Sequence, residues 1–226
     1  MKQLLLAFLI IGFFSSCKDE KTVEATSGVE KLSADTTMAA DDDAAVKEEL
    51  ARLIGKTMYW SESEQSINLL PVVVKDSICT GFDFDKHHQN LKNLKATGFF
   101  ADEFISNYDS IIRTLDSKIK SGEFDAWNVY ELPTFIFDND VNPWCMCQDD
   151  PGDWNNVKVG IKDIDEESGD FFYYFGEELP TVEDYSYPFS AVKENGSWKI
   201  SYMWGFNYEN SITKDGELNK NSHELH

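Results

Sequence analysis

The stretch YPFSAVKENGSWKISYMW, residues 187–204, decides how the second half of the chain folds. Asn195-Gly196 at its centre tolerates the positive φ that a two-residue turn between antiparallel strands requires. Upstream, Tyr187 to Lys193 reads as one strand of the hairpin. Downstream, period-two alternation puts Trp198, Ile200, Tyr202 and Trp204 on one face, with Lys199 and Ser201 on the other.

Two more strands precede this hairpin. Val157, Val159, Ile161 and Ile164 nearly alternate, Glu166 to Asp170 makes a turn containing Gly169, and Phe171 to Phe175 returns. Further upstream the period changes. Phe100, Phe104, Tyr108, Ile111, Ile112, Leu115 and Ile119 recur at helical spacing over about five turns, and Ser121-Gly122 stops the helix. Asp85 caps a shorter helix that carries Leu91 and Leu94 and ends at Thr97-Gly98. Asp41-Asp42-Asp43 favours the N-terminus of a first helix with Val46, Leu50, Leu53 and Ile54 on one face, and Gly55 suits its end. Between these helices Ile67 to Val74 is apolar, but Pro71 limits it to an edge strand or extended segment. Helices followed by antiparallel strands make an α+β fold, with N-terminal helices packed on one face of a curved antiparallel sheet.

The first residues are an address. Lys2 precedes an apolar run from Leu4 to Phe14, too short for the roughly 20 residues that a bilayer-spanning helix needs. Phe14-Ser15-Ser16-Cys17 resembles a bacterial lipobox, so residues 1–16 are expected to be a lipoprotein signal peptide and Cys17 the lipidated residue. Phe14 departs from the usual Leu. Lys18-Asp19-Glu20 resembles the short signal that sends some lipoproteins to the outer face of the outer membrane, and equally suits a solvated tether. The expected location is the outer membrane, lipid-anchored, facing the cell surface or the periplasm. Residues 17–43 are acidic and free of aromatics, which predicts a flexible tether; coil-like, it would span about 28 Å. The α+β domain is placed at 44–210, and 211–226 is read as a disordered tail.

With 41 Asp and Glu against 20 Lys and Arg, the chain carries −21, and loss of the leader removes one more positive charge, Lys2. That balance excludes nucleic acid as a partner, because phosphates need cationic side chains. It also leaves the lipid on Cys17, rather than charge, to hold the chain to a membrane.

Thr80-Gly81-Phe82-Asp83, Thr97-Gly98-Phe99-Phe100 and Asn142-Pro143-Trp144-Cys145-Met146-Cys147-Gln148-Asp149 resemble a family of uncharacterised bacterial lipoproteins, a domain of unknown function. The resemblance covers roughly residues 75–207. It implies the cone of ketosteroid isomerase and nuclear transport factor two, and brings no activity with it.

Export implies an oxidising compartment, so Cys79, Cys145 and Cys147 are candidates for a disulfide or structural thiols. A Cys145-x-Cys147 ring is small, which makes Cys79 with either of the others the easier pair if the fold brings them together. Asp138, Asp140 and Asn142, with Asp149 at position twelve, echo the spacing of a calcium loop, the one cofactor the sequence suggests. Pro143 in place of glycine at position six and Asp in place of Glu at twelve count against it, and an acidic loop is the simpler reading. His87 and His88 point about 100° apart on a helix and cannot readily share a metal. Trp127, Phe172, Trp198, Tyr202 and Trp204 are candidates for lining a pocket, though such rings are more often core. No catalytic residue is assigned: there is no Gly-rich phosphate loop, no G-x-S-x-G and no H-E-x-x-H.

The leading expectation is a non-enzymatic binding or interaction module for an unknown protein or small molecule. The alternatives are a small-molecule enzyme with a ketosteroid-isomerase-like pocket and an acidic inhibitor or immunity protein. A carboxylate or His in a pocket beside an opposing hydrogen-bond donor would favour the enzyme.

Overall fold

The computed structural model describes residues 35–148, 153–176 and 186–217, of which 35–42 are described through their backbone alone. The first helix, α1 (Asp35–Ser61), begins inside the stretch assigned to the tether and runs through Gly55 for another turn and a half. Gly55 serves packing rather than termination. A Cβ at this position would sit 2.9 Å from the carbonyl oxygen of Trp154, so the missing side chain lets a neighbouring turn press against the helix. Leu50, Leu53, Ile54 and Met58 form the buried stripe, and Met58 beyond the glycine extends the helix by tertiary packing.

A hairpin follows, β1 (Val72–Lys75) and β2 (Ile78–Phe82), paired only with each other among the named strands and bulged between Val73 and Val74. Helix α2 (Phe84–Thr97) is capped by Asp83, two residues before the expected Asp85; the Asp83 carboxylate accepts the N–H groups of Asp85 and Lys86. Helix α3 (Asp102–Ser121) buries Phe104, Tyr108, Ile111, Ile112 and Leu115, as the spacing predicts. Asp116 of α3 accepts the Phe82 N–H at 2.9 Å and the Lys120 ammonium at 2.8 Å, tying the hairpin to the helix.

Strands β3 (Lys158–Ile164), β4 (Ser168–Tyr174), β5 (Tyr187–Glu194) and β6 (Ser197–Met203) form one antiparallel sheet in chain order. Helices α1 and α3 pack on it, and the backbone before α3 joins its edge, where Ala101 N–H and Ile200 N–H bond to Ile200 and Phe99 carbonyls. The protein is therefore α+β. Gly169, expected in the turn, lies in β4 opposite Ile164.

One register detail redirects the aromatic stripe of β6. Ala191 pairs with Ile200 but Ser190 pairs with Tyr202, so Ser201 is an extra residue in a bulge. Trp198 and Ile200 point into the core, as alternation demands. Past the bulge the parity flips, burying Ser201 and Met203, turning Tyr202 to a half-buried position and leaving Trp204 43% exposed.

The segment after Asn210 is docked over its described part. After α4 (Tyr208–Ser211), the Ile136 N–H bonds to the Thr213 carbonyl and the Asp215 N–H to the Thr134 carbonyl. Lys214 also reaches Asp125 at 2.6 Å. The disordered tail placed at 211–226 therefore does not hold for 211–217, because backbone pairing, which the polar composition hides, ties these residues down.

Candidate functional site

The proposed pocket aromatics do not assemble around a cavity. Trp198, Phe171 and Phe189 fill the helix-facing side of the sheet, where Trp198 meets Phe171 edge to face. Trp127 is buried elsewhere, against Phe135, and Phe172 is half-buried. The Trp198 indole N–H is buried without a hydrogen-bond partner among the described residues, and the Lys193 ammonium lies 4.9 Å from its ring centre. Rings fill the space beside Trp198, Trp127 packs against Phe135 instead, and the bulge turns Tyr202 and Trp204 away from the face of Trp198.

A cleft lies elsewhere. The chain leaving α1, residues 61–69, forms one wall, and the acidic loop at 138–144 forms the other, around a space of about 470 Å³. The first wall is fixed from behind by α2 and α3. Asn90 Nδ2 donates to the Asn68 carbonyl at 2.7 Å, and the Tyr108 hydroxyl donates to the Leu69 carbonyl at 2.9 Å. Burial pushes the Tyr108 pKa up, so its hydroxyl stays a donor at any ordinary pH.

The second wall is fixed by an aromatic anchor and a disulfide. Trp144 sits among Trp60, Phe100, Phe104 and Phe206, with ring centres 4.7–6.1 Å away. The Trp144 backbone N–H donates to Asn142 Oδ1 at 3.0 Å. Gly205 meets the Pro143 backbone so closely that no side chain fits at 205. Cys145 and Cys147 form the disulfide, and Cys79 remains a buried free thiol. The easier pairing with Cys79 is thus not the one adopted. Met146 takes a left-handed φ of 51°, folding the chain back until the two Cα atoms are 5.1 Å apart, within the range a disulfide spans. Asn142 and Cys147 close the loop as a bridge pair.

Asp138 and Asp140 also have positive φ, 57° and 60°. Asp140 is exposed and accepts from Gln148 Nε2 at 3.1 Å. Asp138 is different. Burial pushes its pKa up to about 6, and no hydrogen-bond donor reaches its carboxylate among the described residues. It lines the cleft together with Asn68 and Asn142.

The calcium candidates Asp138, Asp140 and Asn142 lie along one wall of the cleft. Asn142 Oδ1 is committed to Trp144 and Asp140 to Gln148, and no group of three or more His, Cys, Asp or Glu converges for a metal among the described residues. Asp149 lies outside the described residues, as do Cys17 and the leader.

His87 is buried behind the cleft wall, its ring 5.2 Å from that of Tyr108. Its Nε2 lies 2.8 Å from Asp109 Oδ1 and its Nδ1 has no partner among the described residues. Burial lowers its pKa, so at neutral pH the ring is uncharged and Nε2–H donates to Asp109. Arg113 holds the other Asp109 oxygen at 2.8 Å. His88 is exposed, its ring centre 6.3 Å from that of His87. His87 is a structural link between α2 and α3, and it does not line the cleft.

Sequence reasoning grouped Asp138 with its acidic neighbours. Nothing in the spacing marks it as the carboxylate that would be desolvated and unpaired.

No protein-family model matches this chain, and neither a curated protein nor a solved structure matches it.

Proposed function

We propose that this chain is an exported, lipid-anchored binding module, non-enzymatic, whose ligand seats in the cleft between residues 61–69 and 138–144. The observation that carries this reading is the preformed, braced cleft. Its walls are held by side chains outside it, Asn90, Tyr108 and the Cys145–Cys147 loop, and bracing of this kind lowers the ordering cost of binding. Phe14-Ser15-Ser16-Cys17 supports export and anchoring in the outer membrane, and Lys18-Asp19-Glu20 supports exposure at the cell surface. Helices on one side of a four-stranded antiparallel sheet support the cone of nuclear transport factor two as its family of shapes.

The test has two arms. Palmitate labelling should disappear in Cys17→Ser, and a labelled variant sinks the anchoring. For the cleft, a chemically diverse small-molecule library is screened by protein-observed NMR. Shifts should cluster on residues 66–69 and 138–142 and vanish in Ser66→Trp, which fills the space. Hits scattered elsewhere, or none, sink the cleft as a binding site.

One observation favours a second reading. A carboxyl group with its pKa near 6 can exchange a proton close to neutrality, so Asp138 could act as an acid or base on a bound molecule, with the Asn68 and Asn142 amides as opposing donors. Turnover of a library hit, abolished by Asp138→Asn without loss of its binding, would replace the binding module with an enzyme.

A further inference from the structure

Resting on that cleft, we infer its ligand class: a small organic molecule with one cationic centre, a protonated amine, that also bears hydroxyl or carbonyl oxygens, as an amino sugar does. The ammonium would lie on Asp138 and the oxygens on the side-chain amides of Asn68 and Asn142.

The charge count sets the cation. Two carboxylates line the cleft, but Asp140 is exposed and already bonded to Gln148. Asp138 is half-buried and without a donor among the described residues. Partial burial costs an ionised carboxylate some of its hydration, and an ammonium supplies both the opposite charge and hydrogen bonds in its place. One such carboxylate suits one positive charge. A divalent metal would demand six or more oxygen ligands, and the neighbouring amide oxygens are spent: Asn68 Oδ1 accepts from the Leu70 N–H at 3.0 Å and Asn142 Oδ1 from the Trp144 N–H at 3.0 Å.

The same two bonds set the rest of the ligand. With their oxygens turned to the backbone, Asn68 and Asn142 keep their –NH2 groups, for which no acceptor exists among the described residues. Both residues therefore offer donors to the cleft and ask for acceptors on the ligand. Between them Ile67, Leu69 and Trp144 provide apolar wall, against which the carbon skeleton of a hydroxylated ring can pack. The space, about 470 Å³, holds a molecule of sugar size with water around it.

The experiment titrates the full chain with glucosamine and, separately, with glucose, which puts a hydroxyl where glucosamine has its ammonium. The side-chain amide resonances of Asn68 and Asn142 are followed by NMR. Saturable shifts are expected with glucosamine, and glucose should bind at least about tenfold more weakly. Asp138→Asn, which keeps the shape and tolerates the left-handed backbone, should weaken glucosamine by at least about tenfold. Asp163→Asn, which removes one of the chain's other acidic charges far from these walls, should change nothing. Equal binding of glucose, full affinity in Asp138→Asn, or equal loss in Asp163→Asn overturns the ligand class. If glucosamine gives no saturable shift while library molecules still occupy the cleft, the ligand class falls and the binding site stands; if nothing occupies it, both fall.

Discussion

The sheet interior and the acidic cleft use the same kinds of residue to opposite ends. Around Trp198, Phe171 and Phe189 the rings are buried and pack against one another, with centres 5.4 and 5.7 Å apart. Around Trp144 the rings also pack tightly, but they hold a backbone loop whose far side is open and polar. Aromatic richness therefore marks where this protein is solid. The cleft between 61–69 and 138–144 lies where the backbone carries left-handed non-glycine residues and a carboxylate has no partner among the described residues.

That contrast can be broken most sharply in the interior. Phe171→Ala should cost about 3–5 kcal/mol of stability in urea unfolding, as a fully enclosed aromatic does when truncated. A loss under about 1 kcal/mol would mean that the sheet face is loosely filled and could admit a ligand.

The disulfide comes next. Its loop is very short, so the unfolded chain gains little freedom when it is lost. Cys145→Ser with Cys147→Ser should cost only about 1–2 kcal/mol overall. Its larger expected effect is local: amide exchange at 142–147 should rise well above that of α3. Uniform change across the domain would count against the loop as a separately braced wall.

Asp138→Asn should go the other way, raising stability at pH 7 by about 1 kcal/mol, a value discounted for partial exposure. The sign follows from linkage. The folded carboxyl, at about 6, binds its proton more tightly than the unfolded one, at roughly 3.9, so the wild type gains stability as pH falls from about 6 towards 4. The advantage of the variant should fade over that window. His87 has the opposite dependence, since its depressed pKa makes acid favour unfolding, but it is common to both proteins and cancels in the difference. An advantage that stays constant with pH would show that Asp138 is not desolvated.

The smallest effect belongs to Trp204. Half-exposed beyond the bulge, it should tolerate Ala within about 0.5 kcal/mol. A large loss would put it back with Trp198 on the inner face.

Local patterns were legible and tertiary ones were not. Six of the seven apolar positions before Ser121, Phe104 to Ile119, describe α3 because they lie within one element, whereas Phe100 precedes the helix and bridges to Ile200; Asn195-Gly196 fixes its turn because the signal is local. The bulge at Ser201 depends on pairing with β5, so strict alternation carried Tyr202 and Trp204 to the wrong face. Gly55 looked like a helix end because the Trp154 turn that presses on it lies far along the chain. The cysteine pairing turned on the φ of Met146, a residue with no preference for that conformation. The acidic loop was visible as composition, whereas the solitude of Asp138 comes from what happens not to stand near it.

The backbone bonds between 134–136 and 213–215 carry a consequence for the order of assembly. The acidic loop leaves from this seam, and its Pro143 rests on Gly205. Every element that braces the loop from this side is translated after all six strands. A chain emerging N-terminus first can form α1, the hairpin and α3 early, but its cleft must wait for the last described residues. A nascent chain stopped short of Thr213 should thus hold a helical core and an unfinished site, and in this protein competence to bind is acquired late in synthesis rather than with the core.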